Sequence, residues 1–191
     1  MNVPKLDGNT ELISVQHMLR DLEEYLKSDV LYWHVAEPNP LGSQMPQLTI
    51  GALLEAQVRA KAGGAETNVL ATALALHDRI RAAHPARYVS KAVHELHSRL
   101  DAWHANLDDE GRKTKVFYAQ DVRVRAKIYL LEQALGPDTP IELQQQRAQL
   151  DQELNEVFVP SEFVWDARLQ AAFPKNTCWW LYGHLLEEHY S

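Results

Sequence analysis

Five of the nine histidines fall within a short stretch of the chain: His77, His84, His94, His97 and His104. On a helix, His94, His97, Asp101, His104 and Asp108 recur at spacings of three and four, which lines them up as one stripe. Every member of that stripe carries a nitrogen or oxygen lone pair that can ligate a metal. His77 and His84 stand seven apart on the preceding segment, again on one helical face. If the two segments run antiparallel as neighbours, His77 falls opposite His94 and His97. Two imidazoles and the Asp101 carboxylate would then suit a divalent transition metal such as Zn²⁺, Fe²⁺, Ni²⁺ or Mn²⁺. The candidate ligands are therefore His77, His94, His97, Asp101 and His104, and the chemistry they would support is metal-dependent hydrolysis.

Other chemistry finds less support. His77-Asp78 is the kind of pair for which the HD-domain phosphohydrolases are named, and the likeness to that family covers residues 73–78. Arg-Ile-Arg follows and the helical pattern continues, so the further ligands of that family have no clear counterparts and no family is assigned. There is no Gly-x-Ser-x-Gly elbow and no glycine-rich phosphate loop. Cys178, the single cysteine, stands beside Trp179 and Trp180 and reads as a small buried hydrophobe. His184 is six residues on, not a facing position if the end of the chain is helical. Carboxylates at Asp21, Glu23, Glu24, Glu187 and Glu188 read as solvated helix faces, because none has the Glu-x-x-Glu or Glu-x-x-His spacing of di-metal bundles.

The elements that must position these groups are helical throughout. Leu12, Val15, Leu19, Leu22 and Leu26 predict a first helix over residues 10–34, with Asp29 as a candidate break. Pro38, Pro40, Gly42 and Pro46 then make a loop of residues 36–48. A second helix over 49–62 ends at Gly63-Gly64, and a third over 67–84 stops at Pro85. The fourth is the clearest: Val89, Val93, Leu96, Leu100, Trp103 and Leu107 keep a 4-3-4-3-4 spacing, with Gly111 as a stop. A fifth helix over 114–135 carries Phe117, Val124, Ile128, Leu131 and Leu135 and ends at Gly136-Pro137. Thr139-Pro140-Ile141-Glu142 reads as the N-cap, first-turn proline and capping-box glutamate of the sixth. Its seam is Leu143, Leu150, Leu154 and Val157.

The last thirty or so residues are rich in aromatics: Phe158, Phe163, Trp165, Phe173, Trp179, Trp180, Tyr182 and Tyr190. They are expected to close the core from a short helix over 161–172 and a terminal helix from Cys178. Short connections predict two antiparallel hairpins, helices three with four and five with six, and strands are not needed. The expected fold is all-α: one single-domain antiparallel bundle of about six or seven helices over residues 1–191 with an aromatic-rich C-terminal helical segment.

Bulk composition bounds the function classes. With 46% hydrophobic and 24% charged residues the chain has globular values, and its length should bury roughly 70% of its unfolded surface. A net charge of -7 argues against nucleic acid as a partner. The densest basic run, Arg112, Lys113, Lys115, Arg123, Arg125 and Lys127, is interrupted by Asp121 and reads as a solvated helix face. The absence of a signal-like start, of a long apolar run and of cysteine pairs points to a cytoplasmic protein with no membrane span. Two functions are left: a non-catalytic interaction or structural module that could homo-oligomerise or bind a protein partner, and a metal-dependent, hydrolase-like enzyme built on the histidine cluster.

Overall fold

The structure is a computed structural model and describes residues 6–35, 47–108 and 115–186. The proline-rich stretch at 36–46, the Gly111 stop, Thr114 and the carboxylate pair at Glu187 and Glu188 lie outside the described residues. Six α-helices are described: α1 (Gly8–Lys27), α2 (Ile50–Ala62), α3 (Thr67–Ala83), α4 (Pro85–Asp108), α5 (Lys115–Leu135) and α6 (Ile141–Val157). The all-α reading holds.

Local chemistry explains most boundaries. Asp7 caps α1, accepting from the Asn9 amide at 3.2 Å, and Thr49 caps α2, its hydroxyl accepting from the Ala52 amide at 3.1 Å. Past Gly63, Gly64 takes φ +79°, and Gly136 takes φ +54° at the end of α5, both in the left-handed region that glycine enters without cost. Pro85 opens α4, where its missing N–H removes no intrahelical bond. The capping box expected at Thr139 does not form: Pro140 is the N-cap of α6 without a side-chain cap, and the Gln144 amide donates to the Thr139 carbonyl at 2.9 Å instead.

The first helix is shorter than its periodicity predicts. It stops at Lys27, where the Ser28 hydroxyl turns back to the Tyr25 carbonyl at 2.8 Å. The chain then runs as a strap pinned from outside: Lys91 donates to the Val30 carbonyl, the Tyr25 hydroxyl donates to the Leu31 carbonyl at 3.1 Å, and Trp33 exchanges backbone bonds with Leu48. Tertiary donors have taken the carbonyls that a longer α1 would have used.

Packing departs from the two expected hairpins. The closest neighbours are α1 with α2 and α4 with α5; α2 lies across α5, and α6 lies nearer α4 than α5. α3 rests on α1 and α2 and meets α4 only near the one-residue joint at His84. One hydrophobic cluster runs through the helices from Leu12 and Leu22 to Leu96, Leu100, Trp103, Leu131 and Leu154. Gly8 and Gly63 let α1 begin against the end of α2: Gly8 N–H donates to the Gly63 carbonyl at 3.3 Å, and a Cβ on either residue would collide with the other's backbone.

The C-terminal segment overturns the helical expectation for residues 161–172 and, among the described residues, from Cys178 to Leu186. It forms a two-stranded antiparallel sheet, β1 (Phe158–Pro160) with β2 (Gly183–Leu185), and between them 3-10 turns at Ala167–Leu169 and Trp179–Leu181. Long-range bonds hold it in this form. The Tyr118 hydroxyl donates to the Trp180 carbonyl at 2.6 Å, and the Trp165 indole donates to the Ala119 carbonyl at 2.8 Å. Trp180, Phe173, Leu181 and Cys178 are buried, so the aromatics close the core as expected, though not from helices.

One polar contact sets how the central helices meet. Glu95 on α4 is 0% exposed and points into the N-terminus of α2, accepting from the Thr49 hydroxyl at 2.6 Å and the Gly51 amide at 2.7 Å. Arg99, one turn on, donates to the same carboxylate at 3.1 Å. The carboxylate thus satisfies donors that a helix start leaves free and sits at the positive end of the α2 dipole. Removing it leaves the half-buried Arg99 guanidinium and the buried Thr49 cap of α2 without their acceptor, so Glu95→Ala should lower stability by about 3–5 kcal/mol. Urea unfolding measures this, and a loss under about 1 kcal/mol, the range of an exposed pair, would contradict the assignment.

Candidate functional site

The predicted ligands separate. His77 sits in α3 at 5% exposure; its ring packs on Tyr88 at 5.7 Å between centroids, and Gln57 Nε2 lies 3.0 Å from its Nδ1. Since the amide donates, Nδ1 accepts and the imidazole proton belongs on Nε2, which is buried without a partner. Burial pushes the His77 pKa below 6.5; Asp78 pulls it back and Arg81 adds to the depression. His94 is exposed. His97 pairs with Asp101 at 3.2 Å and His104 with Asp108 at 3.4 Å, all four on the solvent side of α4. Gln146 of α6 reaches Asp101 at 3.4 Å.

The stripe on α4 is therefore real as i,i+4 pairing, but α3 does not supply its opposite wall. A one-residue joint lets α3 and α4 diverge, so His77 faces α2 and not His94 or His97. Among the described residues, no three His, Cys, Asp or Glu side chains gather as metal ligands would. His84, at the joint, lies 3.6 Å from Glu23 of α1.

Cys178 is buried, and that burial raises its thiol pKa, which leaves little thiolate for nucleophilic work. It lies at the turn before Trp179, and His184 is in β2, so the two do not share a helix.

The charged groups that do converge lie between the helices, on carboxylates that are buried or half-buried, where periodicity placed none. Glu55 of α2 is 5% exposed and takes Arg123 at 2.7 Å and Lys127 at 3.4 Å, both from α5. Burial alone would raise the Glu55 carboxyl, but Lys127 and Arg123 outweigh it and hold it below the usual 4.5. Arg125, 4% exposed, makes a bidentate pair with Asp151 of α6 at 2.8 and 2.9 Å and stacks over Trp180. Arg147 then joins Asp151 at 3.2 Å to Glu132, also at 3.2 Å. This corrects the solvated reading of the basic run for Arg125 and Lys127, which tie α5 to α6 and to α2. The only sequence signal was indirect: Arg125 and Lys127 flank Val124 and Ile128 of the seam and Glu55 stands between Leu54 and Ala56, so charge adjoins apolar residues that must be covered.

On the outside, a groove of about 370 Å³ opens between α1 and α3. Leu19, Leu76, Ile80 and Ala83 line it, with Arg20, Glu23 and Arg79.

The Glu55 cluster predicts acid behaviour. A carboxylate held below its ordinary pKa in the folded state contributes stability that is present above 4.5 and lost as pH falls through the lower folded value. Glu55→Gln should therefore be less stable than the wild type at about pH 7, with the gap narrowing toward about pH 3. Urea midpoints at the two pH values test it; a constant gap would mean that the charge of Glu55 contributes nothing.

No protein-family model, curated protein or solved structure matches this chain.

Proposed function

We propose that the chain is a non-catalytic helical module that self-associates through the outer face of α3. The observation that carries this reading is the chemistry of that helix. From Thr67 to His77 it holds no charged residue, yet only Leu70, Ala73, His77 and Ile80 are buried along its whole length. A helix lying on a protein surface normally turns charged and polar residues outward. α3 instead exposes Ala71, Thr72 and Ala75 and leaves Val69, Leu74 and Leu76 half-buried. Such a face is short of the polar groups that would hold it in water, and its small side chains allow another helix to come close.

A second copy of the chain fits this face better than an unrelated surface does. A two-fold dimer needs a patch complementary to itself. The groove beside α3 carries both signs, so Glu23 in one copy can meet Arg79 in the other across the lining of Leu76 and Ala83. A standard interface takes roughly 800 Å² from each partner, so the outer face of α3 contributes to it beside the groove. By contrast, the buried carboxylates Glu55 and Glu95 and the half-buried Asp151 are each bound to cations or backbone donors of neighbouring helices, an arrangement that serves support and leaves little for catalysis.

Light scattering on untagged protein at about 100 µM tests the proposal, a concentration at which a dimer with a Kd of about 10 µM is mostly assembled. The wild type should approach twice the 21.8 kDa of one chain, and Leu76→Asp should return it to the single-chain mass with its helical circular dichroism unchanged. A wild-type monomer would overturn self-association, and a Leu76→Asp dimer would overturn its placement on α3.

A further inference from the structure

We infer that α3 is a pH-released flap whose latch is His77: the helix stays docked on α1 and α2 while the imidazole is neutral and lets go when it takes a proton. The geometry of the latch makes the two protonation states unequal. His77 is one of the four buried side chains that anchor α3, with Leu70, Ala73 and Ile80. In the neutral ring Nδ1 accepts from the Gln57 amide at 3.0 Å. A cation would carry a second N–H on Nδ1, aimed at an amide that is itself donating, while the Nε2 proton still lacks an acceptor. Turning the Gln57 amide could answer the first fault, but the Nε2–H of a charged ring stays buried and unanswered in the docked position, where a cation costs more than a neutral ring, and water answers it on release.

The surrounding charges do not rescue the cation. On its own helix, Asp78 favours it and Arg81 opposes it. α2 faces the ring with the uncharged Gln57, and α4 faces it with Tyr88, whose own hydroxyl is buried, unpartnered and pushed up to about 12. α1, packed on the Leu76–Ile80 side, brings Arg20 and Glu23 to the groove, and Glu23 already faces His84 at 3.6 Å. Burial thus leaves the docked ring harder to protonate than a free one.

The sign follows. Above the ordinary value of 6.5 both docked and released rings are neutral, and docking is at full strength. As pH falls below 6.5 the released ring takes the proton first, and each unit shifts the balance toward release by up to about tenfold. The shift stops once the docked ring also titrates. α3 is suited to such release because it meets α4 little, through His77 and Arg81 on Tyr88; Arg81 also donates to the Ala134 carbonyl of α5 at 2.7 Å, and His84 is the hinge.

Hydrogen exchange read by mass spectrometry on the full chain, at about pH 7.5 and about pH 5.5 with intrinsic rates corrected, tests the flap. Amides of residues 70–80 should lose up to about tenfold in protection per pH unit relative to those of α5. His77→Asn, which keeps a hydrogen-bonding atom near the Nδ1 position and cannot titrate, should abolish that difference. Equal behaviour of α3 and α5, or the same loss in His77→Asn, would overturn the inference. If the variant does not fold, NMR titration of the His77 ring in the wild type decides: a midpoint at or above 6.5 removes the latch. The inference concerns the inner face of α3 and does not depend on what covers its outer face. A monomeric wild type with pH-linked α3 protection would sink the dimer and leave the flap standing.

Discussion

The Glu95 carboxylate stands where α4 meets the start of α2, and the placement of both helices depends on how completely it is satisfied. A buried carboxylate is costly in an apolar interior unless every strong acceptor position is filled. Here the Thr49 hydroxyl, the Gly51 amide and the Arg99 guanidinium fill them. The requirement is steric as well as electrical. A Cβ on Gly51 would come within 2.7 Å of Glu95 Oε1 and push the carboxylate off its bonds, so a glycine after the first residue of α2 suits this approach. α4 is thereby committed to α2 at one point, and the apolar seam from Leu96 to Trp103 is left to pack along α5.

The same logic repeats through the bundle. Glu55 ties α2 to α5 through Arg123 and Lys127, and Asp151 ties α6 to α5 through Arg125. Lys91 spans from α4 to the strap after α1, its ammonium over the Tyr25 ring and bonded to the Val30 carbonyl. In each case a charge is buried because a partner from another element meets it there. Such pairs add less net stability than well-packed apolar residues would, but they are demanding about geometry, since a helix shifted by one turn leaves a charge unpaired in the interior. α3 lies outside this scheme. It is held mainly by apolar contact and by a histidine whose single bond is to a neutral amide, which makes it the part of the structure most open to change.

How much of this could be read in advance varies from element to element. The heptad-like spacing of α4 and the breakers at Gly63-Gly64, Pro85 and Gly136 were legible because each acts within a turn or two of itself, whereas the capping box read at Thr139 did not form. The i,i+4 pairs His97–Asp101 and His104–Asp108 were legible for the same reason. The surroundings of His77 were not legible because its neighbour Gln57 lies twenty residues away on α2, and nothing in the local pattern separates a histidine facing a metal from one facing an amide. Arg125 and Lys127 looked solvated because a charge run normally is; their acidic partners on α6 and α2 are visible only once those helices pack.

Local chemistry settled where helices begin, where they end and which of their faces turn inward, because propensity, capping and periodicity are properties of a few consecutive residues. Tertiary contact chose the rest: which helices pair, that α1 yields its last turns to a strap, and that the aromatic segment folds as turns and a two-stranded sheet rather than as helix. Those choices turn on hydrogen bonds such as Tyr118 to the Trp180 carbonyl and Glu95 to the Gly51 amide, 62 and 44 residues apart in the chain. An apolar face states only that it must be covered, and a buried charge only that it must be met. Neither names its partner, and the partner decides the fold around it.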